Sequence, residues 1–573
     1  MKQIDDVLFE NRGTIIGSAA GAGAIHLTNG AQLHNTASGI IEISAWSISD
    51  QDALGNSLIN DGLLRKTGPA DSTGYIGLPF NNSGTVDVQS GTLRLAGVGT
   101  HTGTFQVSSG ASLDLAGDNT FQASSSIGGA GTIYFAPYST NTINGVYDVS
   151  GLTSIAGGTV NFNTAVEAQD LDLTQYQTDT RLVVNAPFTV HGTFNWEAGT
   201  NFWPTPKISG SSTFTTTGIT NLLGIGQKTI DNVLFENTGT IIASAAGTGP
   251  LVLANGAQLH NAESGTIEIS SWNISDQDGL GNSLINDGLV LKTGAGDAIL
   301  SLPFENTGIV HVQAGALRFL SEYTDNSGMI VVDEGASFIS ASPITIQGGT
   351  IHGSGTLVAN IINSGTVAPG SSPGTLTING NYIQEPTGTL RLSISGTEAD
   401  QFDVLAVTGS TVFDGALHLV FEDGFAPNLG DTFDLFDGLP ALGQFNSIQV
   451  EGLGPQWEYS LDPTLLRLTS LTDGVSELTG DYNRNGTVDA ADYTVWRDSR
   501  GQAGAGLAAD GNGDGAVSDS DFNFWKARFG QSSGVGAVSD TSVPEPSTLL
   551  LLLATLPALA CARRQSARTS TVK

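Results

Sequence analysis

Cysteine occurs once in 573 residues, as Cys561. One thiol permits neither a disulfide framework nor a cysteine zinc site. Charge is also scarce: charged residues make up 13% of the chain, against about 25% in typical globular proteins. The charge is one-sided, with 55 acidic and 21 basic residues and a net charge of −34. Binding to a phosphate backbone needs basic patches, so nucleic acid is not an expected partner. There is no His-Glu-x-x-His, no Gly-x-Ser-x-Gly and no P-loop, and with them go the usual signatures of zincins, serine hydrolases and phosphate-binding NTPases. Close to Met1 there is no basic segment followed by an apolar run, so no secretory signal peptide is visible.

Other features are abundant. The hydrophobic fraction of 39% is enough for a core, and the 75 glycines follow no Gly-X-Y period, which excludes collagen. Residues 2–68 align without a gap to residues 228–294, at an offset of 226. Val7-Leu8-Phe9-Glu10-Asn11 returns as Val233-Leu234-Phe235-Glu236-Asn237, and Gly30 to Asn35 returns as Gly256 to Asn261. The tandem copies cover residues 1–104 and 227–328. Inside each copy a shorter unit recurs, Asn-x-Gly followed by β-branched residues, at Asn11, Asn60 and Asn82, with a looser version at Asn35. In the second copy it opens at Asn237, Asn261, Asn286 and Asn306, in steps of 24, 25 and 20 residues.

Periods of this length indicate solenoids, propellers or arrays. Segments such as Thr85-Val86-Asp87-Val88 and Thr92-Leu93-Arg94-Leu95 alternate with period two, as strands do. The expected fold is mainly β: a parallel β-solenoid rod over residues 1–384, of about 17 coils and roughly 80 Å at the strand spacing. Stacked Asn and Thr side chains should bond to one another along the rod. Near its end, Asn363-Ser364-Gly365-Thr366-Val367-Ala368-Pro369-Gly370, and then Asp403 to Gly409 and Gly415 to Leu419, resemble the passenger domains of autotransporters. That resemblance implies a β-solenoid displayed at a surface, although the membrane-barrel translocator of the family has no counterpart here. Residues 385–471 are expected to form a β-rich cap over the last open strand edge.

In the rod, Asp50, Asp52 and Asp61 lie near Trp46 in sequence, and Asp276, Asp278 and Asp287 near Trp272. Solenoid polysaccharide lyases use acidic residues together with a basic one, and Arg65-Lys66 or Lys292 is close by. A site present twice, 226 residues apart, is also what a repeated structural turn produces. His34 and His260 are equivalent repeat positions and form no dyad.

The most specific pattern lies further on. Asp481-Tyr482-Asn483-Arg484-Asn485-Gly486-Thr487-Val488-Asp489-Ala490-Ala491-Asp492 fits a twelve-residue EF-hand loop, and Asp510 to Asp521 repeats it. Calcium takes oxygen ligands at alternate loop positions. The candidate ligands are Asp481, Asn483, Asn485, Thr487, Asp489 and Asp492 in the first loop, and Asp510, Asn512, Asp514, Ala516, Ser518 and Asp521 in the second. Thr487 and Ala516 would contribute backbone carbonyls. Each loop runs into a short amphipathic helix carrying Tyr493, Val495 and Trp496 or Phe522, Phe524, Trp525 and Phe529. Two such loops, each followed by its helix, resemble a type I dockerin over residues 480–530. The resemblance implies two calcium ions and a cohesin partner. The family's recognition positions are here Ala490-Ala491 and Asp519-Ser520, and two alanines depart from the Ser/Thr pairs of cellulosomal members.

At the C-terminus, Val543-Pro544-Glu545-Pro546-Ser547-Thr548 precedes an apolar run over 549–562 and then Arg563-Arg564. Fourteen helical residues rise only about 21 Å, short of a bilayer core of about 30 Å, so this short hydrophobic helix is a transient anchor at most. The three parts over 543–565 resemble the PEP-CTERM sorting signal. That resemblance implies export to the cell envelope or beyond and recognition of Pro544-Glu545-Pro546 by an exosortase-type enzyme. Because Met1 falls within a repeat, the true start is expected upstream of it. The chain therefore reads as an exported structural or adhesive surface protein without catalytic activity. The alternative is a component that binds or degrades extracellular polysaccharide.

Overall fold

In the computed structural model the described residues are 2–531, apart from 18–22, 176–178, 200–204, 244–247, 326, 371–372, 475–479, 484–485, 505–506 and 513. The chain divides into two compact units, Met1–Glu477 and Leu478–Lys573.

The first unit is a parallel β-solenoid. Its strands are short, most of them four residues, and alternate between buried and partly exposed positions, as in Gln32–Asn35 and Thr92–Leu95. Three strands make a coil, and each strand pairs in parallel with its equivalent one coil later. The first face is a 21-stranded sheet from Lys2–Asp5 to Ser447–Glu451. The second face runs from Leu8–Asn11 to Phe436–Gly438. The third is a 7-stranded ladder from Thr14–Gly17 to Val146–Val149, followed by a 13-stranded one from Val166–Ala168 to Leu442–Gly443.

No coil buries its own apolar side chains, so each packs on its neighbours. Leu33, Leu58 and Phe80 are stacked in register on the second face, and Ile25, Ile48 and Ile76 on the first. All six are buried. Aromatic rings continue the stacking: Phe162, Phe188, Phe214 and Phe235 follow one another at centroid distances of 5.1, 5.5 and 5.2 Å.

The Asn-x-Gly units mark one corner of the coil. Asn11 Nδ2 donates to Asn35 Oδ1 at 2.7 Å, Asn35 to Asn60 at 2.6 Å, and Asn60 to Asn82 at 2.7 Å. The second copy repeats this through Asn237, Asn261, Asn286 and Asn306, at 2.7, 2.7 and 2.8 Å. Asn35 and Asn60 each also donate to backbone carbonyls in their own and the next coil. The glycine of the motif has a steric cause. A methyl group on Gly62 would strike the Gly39 carbonyl, and one on Gly84 the Gly62 carbonyl.

The two copies of the duplicated sequence occupy different faces. Lys2–Asp5 lies on the first face and its copy Lys228–Asp231 on the second. Leu8–Asn11 lies on the second and Leu234–Asn237 on the third, while Thr14–Gly17 lies on the third and Thr240–Ala243 on the first. The copy begins 31 strands later, which is ten three-strand coils and one strand more. Equivalent segments of the two copies are thus displayed one third of a turn apart around the rod.

Parallel coiling runs on through much of the 385–471 stretch that the sequence reads as a cap. Thr389 pairs with Ala416 and Ala416 with Ser447, so these coils take 27 and 31 residues. That exceeds the period of the repeat, which is why the motif fades while the fold continues. The antiparallel part is a three-stranded sheet of Thr432–Asp434, Arg467–Ser470 and Tyr459–Asp462. Phe433, Leu466, Leu468 and Trp457 are buried in it.

Candidate functional site

The second unit holds the twelve-residue loops. Helix α1 (Ala490–Ser499) follows the first and helix α2 (Asp519–Arg528) the second. Both start in the same way. Asp489 caps α1 and Ser518 caps α2, and in each helix the third residue, Asp492 or Asp521, returns a hydrogen bond to the cap's own N–H. Gly486 and Gly515, at the sixth position, have φ of 83° and 81°. Glycine takes this left-handed conformation without steric cost.

The loops fold onto their first and last carboxylates. Asp481 Oδ2 accepts from Gly486 N at 2.6 Å and Asp510 Oδ2 from Gly515 N at 2.8 Å. Asp492 accepts from Asn483 N at 2.9 Å and Asp489 N at 2.8 Å. Asp521 accepts from Asn512 N at 3.2 Å and Ser518 N at 2.7 Å. In the second loop Asn512 Nδ2 also donates to Asp514 Oδ2 at 2.9 Å, and Asp514 Oδ1 accepts from Ala516 N. These bonds draw positions 1, 3, 6, 9 and 12 of each loop together. Asp489 is turned toward its helix, where it accepts from Ala491 N. Asn485 lies outside the described residues. Among the described residues no three His, Cys, Asp or Glu side chains gather into a metal-binding group.

The two closing residues are alike in their burial. Asp492 and Asp521 are both 0% exposed. The ion pairs among the described residues of this unit are Arg497–Asp498 and Arg500–Asp519, which involve neither. A buried carboxylate without a cation is costly. The donor chemistry around it, carboxylate, amide and hydroxyl oxygen, is that of a hard cation such as calcium.

The halves interlock through contacts absent from the motif. Trp496 Nε1 donates to the Ser518 carbonyl at 2.7 Å, and Trp525 Nε1 to the Asp489 carbonyl at 3.0 Å. Each tryptophan thus reaches the ninth position of the opposite loop. Val488 exchanges two backbone hydrogen bonds with Gly530 and Gln531 beyond α2, and Val517 two with Gly501 and Gln502 beyond α1. Between the helices Tyr493, Trp496, Phe522 and Trp525 pack with centroids 5.0 to 5.9 Å apart. One bond has no mirror image. Tyr482 OH donates to the Asp521 carbonyl at 2.7 Å, passing over Gly511, where a side chain would collide with the phenol.

The acidic residues of the rod do not form one group. Asp50 and Asp52 bind their own loop: Asp50 Oδ1 accepts from Asp52 N, Ala53 N and Asn56 Nδ2, and Asp52 accepts from Leu54 N and Asn29 N. Asp276 and Asp278 repeat this arrangement. Asp61 lies at the other end of Ser57–Asn60 and meets His34 Nε2 at 2.7 Å. In the second copy His260 lies between Glu236 and Asp287, 2.8 Å from each. Trp46 is partly buried and Trp272 fully. Lys66 and Lys292 are buried and donate to corner carbonyls.

No protein-family model matches the chain, and no curated protein matches it. No helix among the described residues is long and apolar enough to cross a membrane. The sorting residues Pro544, Glu545, Pro546, Arg563 and Arg564, and the apolar run 549–562, lie outside the described residues.

Proposed function

We propose that the chain is an exported structural or adhesive rod of the cell surface or matrix, and that its C-terminal double loop binds two calcium ions. The observation that carries the calcium reading is the pair Asp492 and Asp521. They are two fully buried carboxylates at the same place in two equivalent loops, with no basic side chain among the described residues paired to either. A divalent cation supplies the missing charge at each. Asp481, Asn483, Asn485 and Asp492 with the Thr487 carbonyl would hold the first ion. Asp510, Asn512, Asp514 and Asp521 with the Ala516 carbonyl would hold the second. Asp489 and Ser518 would act through water, as ninth-position residues often do. The likeness to dockerins supports a protein partner of cohesin type for the module.

The structural reading of the rod is supported by the way its acidic residues are used. Asp50, Asp52 and their copies bind loop amides, and Asp61 and Asp287 bind histidines. The C-terminal sorting motif supports export and processing by an exosortase-type enzyme. Calorimetric titration of the chelator-treated full chain tests the metal reading, with two calcium ions expected; none bound refutes it. Release of unsaturated sugars from extracellular polysaccharides by the purified protein would refute the structural reading of the rod.

A further inference from the structure

We infer that the two loops are coupled through the tryptophan pair, so that filling one favours filling the other. This rests on the calcium reading above and concerns how the two sites are regulated. Asp492, which closes loop one, and Trp496, which bonds loop two, stand four residues apart in α1. That spacing places them on one face of the helix, one turn apart. Asp521 and Trp525 stand in the same relation in α2. Each helix therefore carries, on a single rigid face, the last residue of its own loop and the donor that fixes the opposite loop.

The consequence is thermodynamic. An ion in loop one fixes Asp492 and with it the first turn of α1. This sets Trp496 against the Ser518 carbonyl, the ninth position of loop two. Loop two then meets its ion already partly ordered, and the second ion bears less of the ordering cost. The mirror route runs from Asp521 through Trp525 to the Asp489 carbonyl. Val488 and Val517 brace both routes by bonding the residues just beyond the opposite helix. The coupling is reciprocal, as linkage demands.

The test uses the full chain stripped with chelator and titrated with calcium alone. In the wild type the second ion is expected to bind about tenfold more tightly than independent sites allow, within the usual range of coupling. W496F/W525F keeps the aromatic packing and removes both indole donors. It should still bind two ions, with the tenfold advantage lost. If the wild type binds two ions independently, or if W496F/W525F keeps the full advantage, the coupling is overturned and the calcium reading stands. If the wild type binds none, the calcium reading fails first. Should the double variant bind no ion while keeping the β-type spectrum of the rod, the single variants W496F and W525F decide. Each is expected to bind two ions with reduced coupling, and unchanged coupling in both overturns the inference.

Discussion

Phe9 and Phe235 are the same residue of the repeated sequence, yet Phe9 is 45% exposed and Phe235 is 1% exposed. The cause lies one coil away. Phe235 rests on Phe214 at 5.2 Å and is stacked with Trp196 at 6.4 Å. The strand of Phe9, Leu8–Asn11, pairs on one side with Gln32–Asn35. Burial in a solenoid belongs to the neighbouring coil as much as to the residue. Phe235→Ala is therefore expected to cost about 3–5 kcal/mol, as buried phenylalanines do, and Phe9→Ala less than about 1 kcal/mol. Denaturant unfolding, with hydrogen exchange to localise the change, measures both. Equal losses would contradict the difference in burial.

The asparagine stack makes a second, sharper demand. Asn60 is buried between Asn35 and Asn82, accepting from one and donating to the other. Asn60→Ala removes the side-chain acceptor of the Asn35 amide and the donor to Asn82 Oδ1, leaving Asn35 only the Gly39 and Leu63 carbonyls, at a cost of about 1–3 kcal/mol. Gly84→Ala should be worse, because its methyl group meets the Gly62 carbonyl, which is backbone and cannot turn aside. Loss of exchange protection in the coils around residues 60–84, greater for Gly84→Ala than for Asn60→Ala, is the expected result.

His101 makes the rod sensitive to acid. It takes the register position after Asn82 and is packed among Phe80, Phe105 and Phe121. Its Nε2 faces the side-chain oxygen Asn119 Oδ1 at 3.1 Å, so the proton sits there and buried Nδ1 is left without a partner. Burial pushes its pKa down to about 4. A lowered histidine pKa means that the unfolded chain binds the proton first. The contribution is complete above pH 6.5 and is lost as pH falls from there toward 4, about 3 kcal/mol in all. His101→Asn extends the asparagine stack and should flatten that part of the pH profile. A slope unchanged in the variant would refute the assignment.

Asp403 acts with the opposite sign. Its carboxylate is buried, accepts from Gly374 N at 2.9 Å and Ser393 N at 2.7 Å, and burial pushes its pKa up to about 6. The folded state therefore holds this proton more tightly than the unfolded chain. Its contribution is present below about pH 4 and is lost as pH rises through 6. Asp403→Asn should remove this decline for the end of the rod while giving up one accepted hydrogen bond. Local exchange protection around residues 374 and 393, followed between pH 4 and 7, measures it.

Much of the rod was legible because its chemistry is periodic. Asn60 and Asn82 had to stack to satisfy buried amides, and Gly62 and Gly84 had to be glycine for coils to approach. Both requirements leave a spacing in the sequence. The one-third rotation between the copies leaves none, since it depends on counting every strand between Lys2 and Lys228, including those outside the motif. The long coils through Thr389, Ala416 and Ser447 escaped for the same reason. In the module, ligand spacing gave the loops and helix starts. The bonds from Trp496 and Trp525 to the opposite loops were not legible, because an indole donating to a distant carbonyl has no fixed offset. The tryptophans read only as an apolar face.

Asp492→Asn separates the metal reading from a purely structural one, because only the metal reading makes its effect depend on calcium. As a capping residue alone, Asp492 is a fully buried carboxylate that accepts from Asn483 N and Asp489 N and has no ion pair among the described residues. Asparagine is nearly the same size and uncharged, and its side-chain oxygen can accept the Asp489 N–H. Asparagine gives up the bond from Asn483 N and removes the buried charge, so on this reading the module changes stability by the same amount with and without calcium. If calcium fills the loop, the same change removes a ligand and one of the charges that hold the ion. The module then loses binding free energy that is also folding free energy. Chelator should likewise open the wild-type module and leave the rod intact, since the rod is held by its stacked apolar core and by hydrogen bonds from coil to coil. The measurement is protease resistance of the full chain with calcium and with chelator, read at residues 480–530. The expected outcome is a wild-type module protected only with calcium, an Asp492→Asn module cleaved in both conditions, and a rod protected throughout. A variant module protected equally with and without calcium would mean that the carboxylate serves the helix and not an ion.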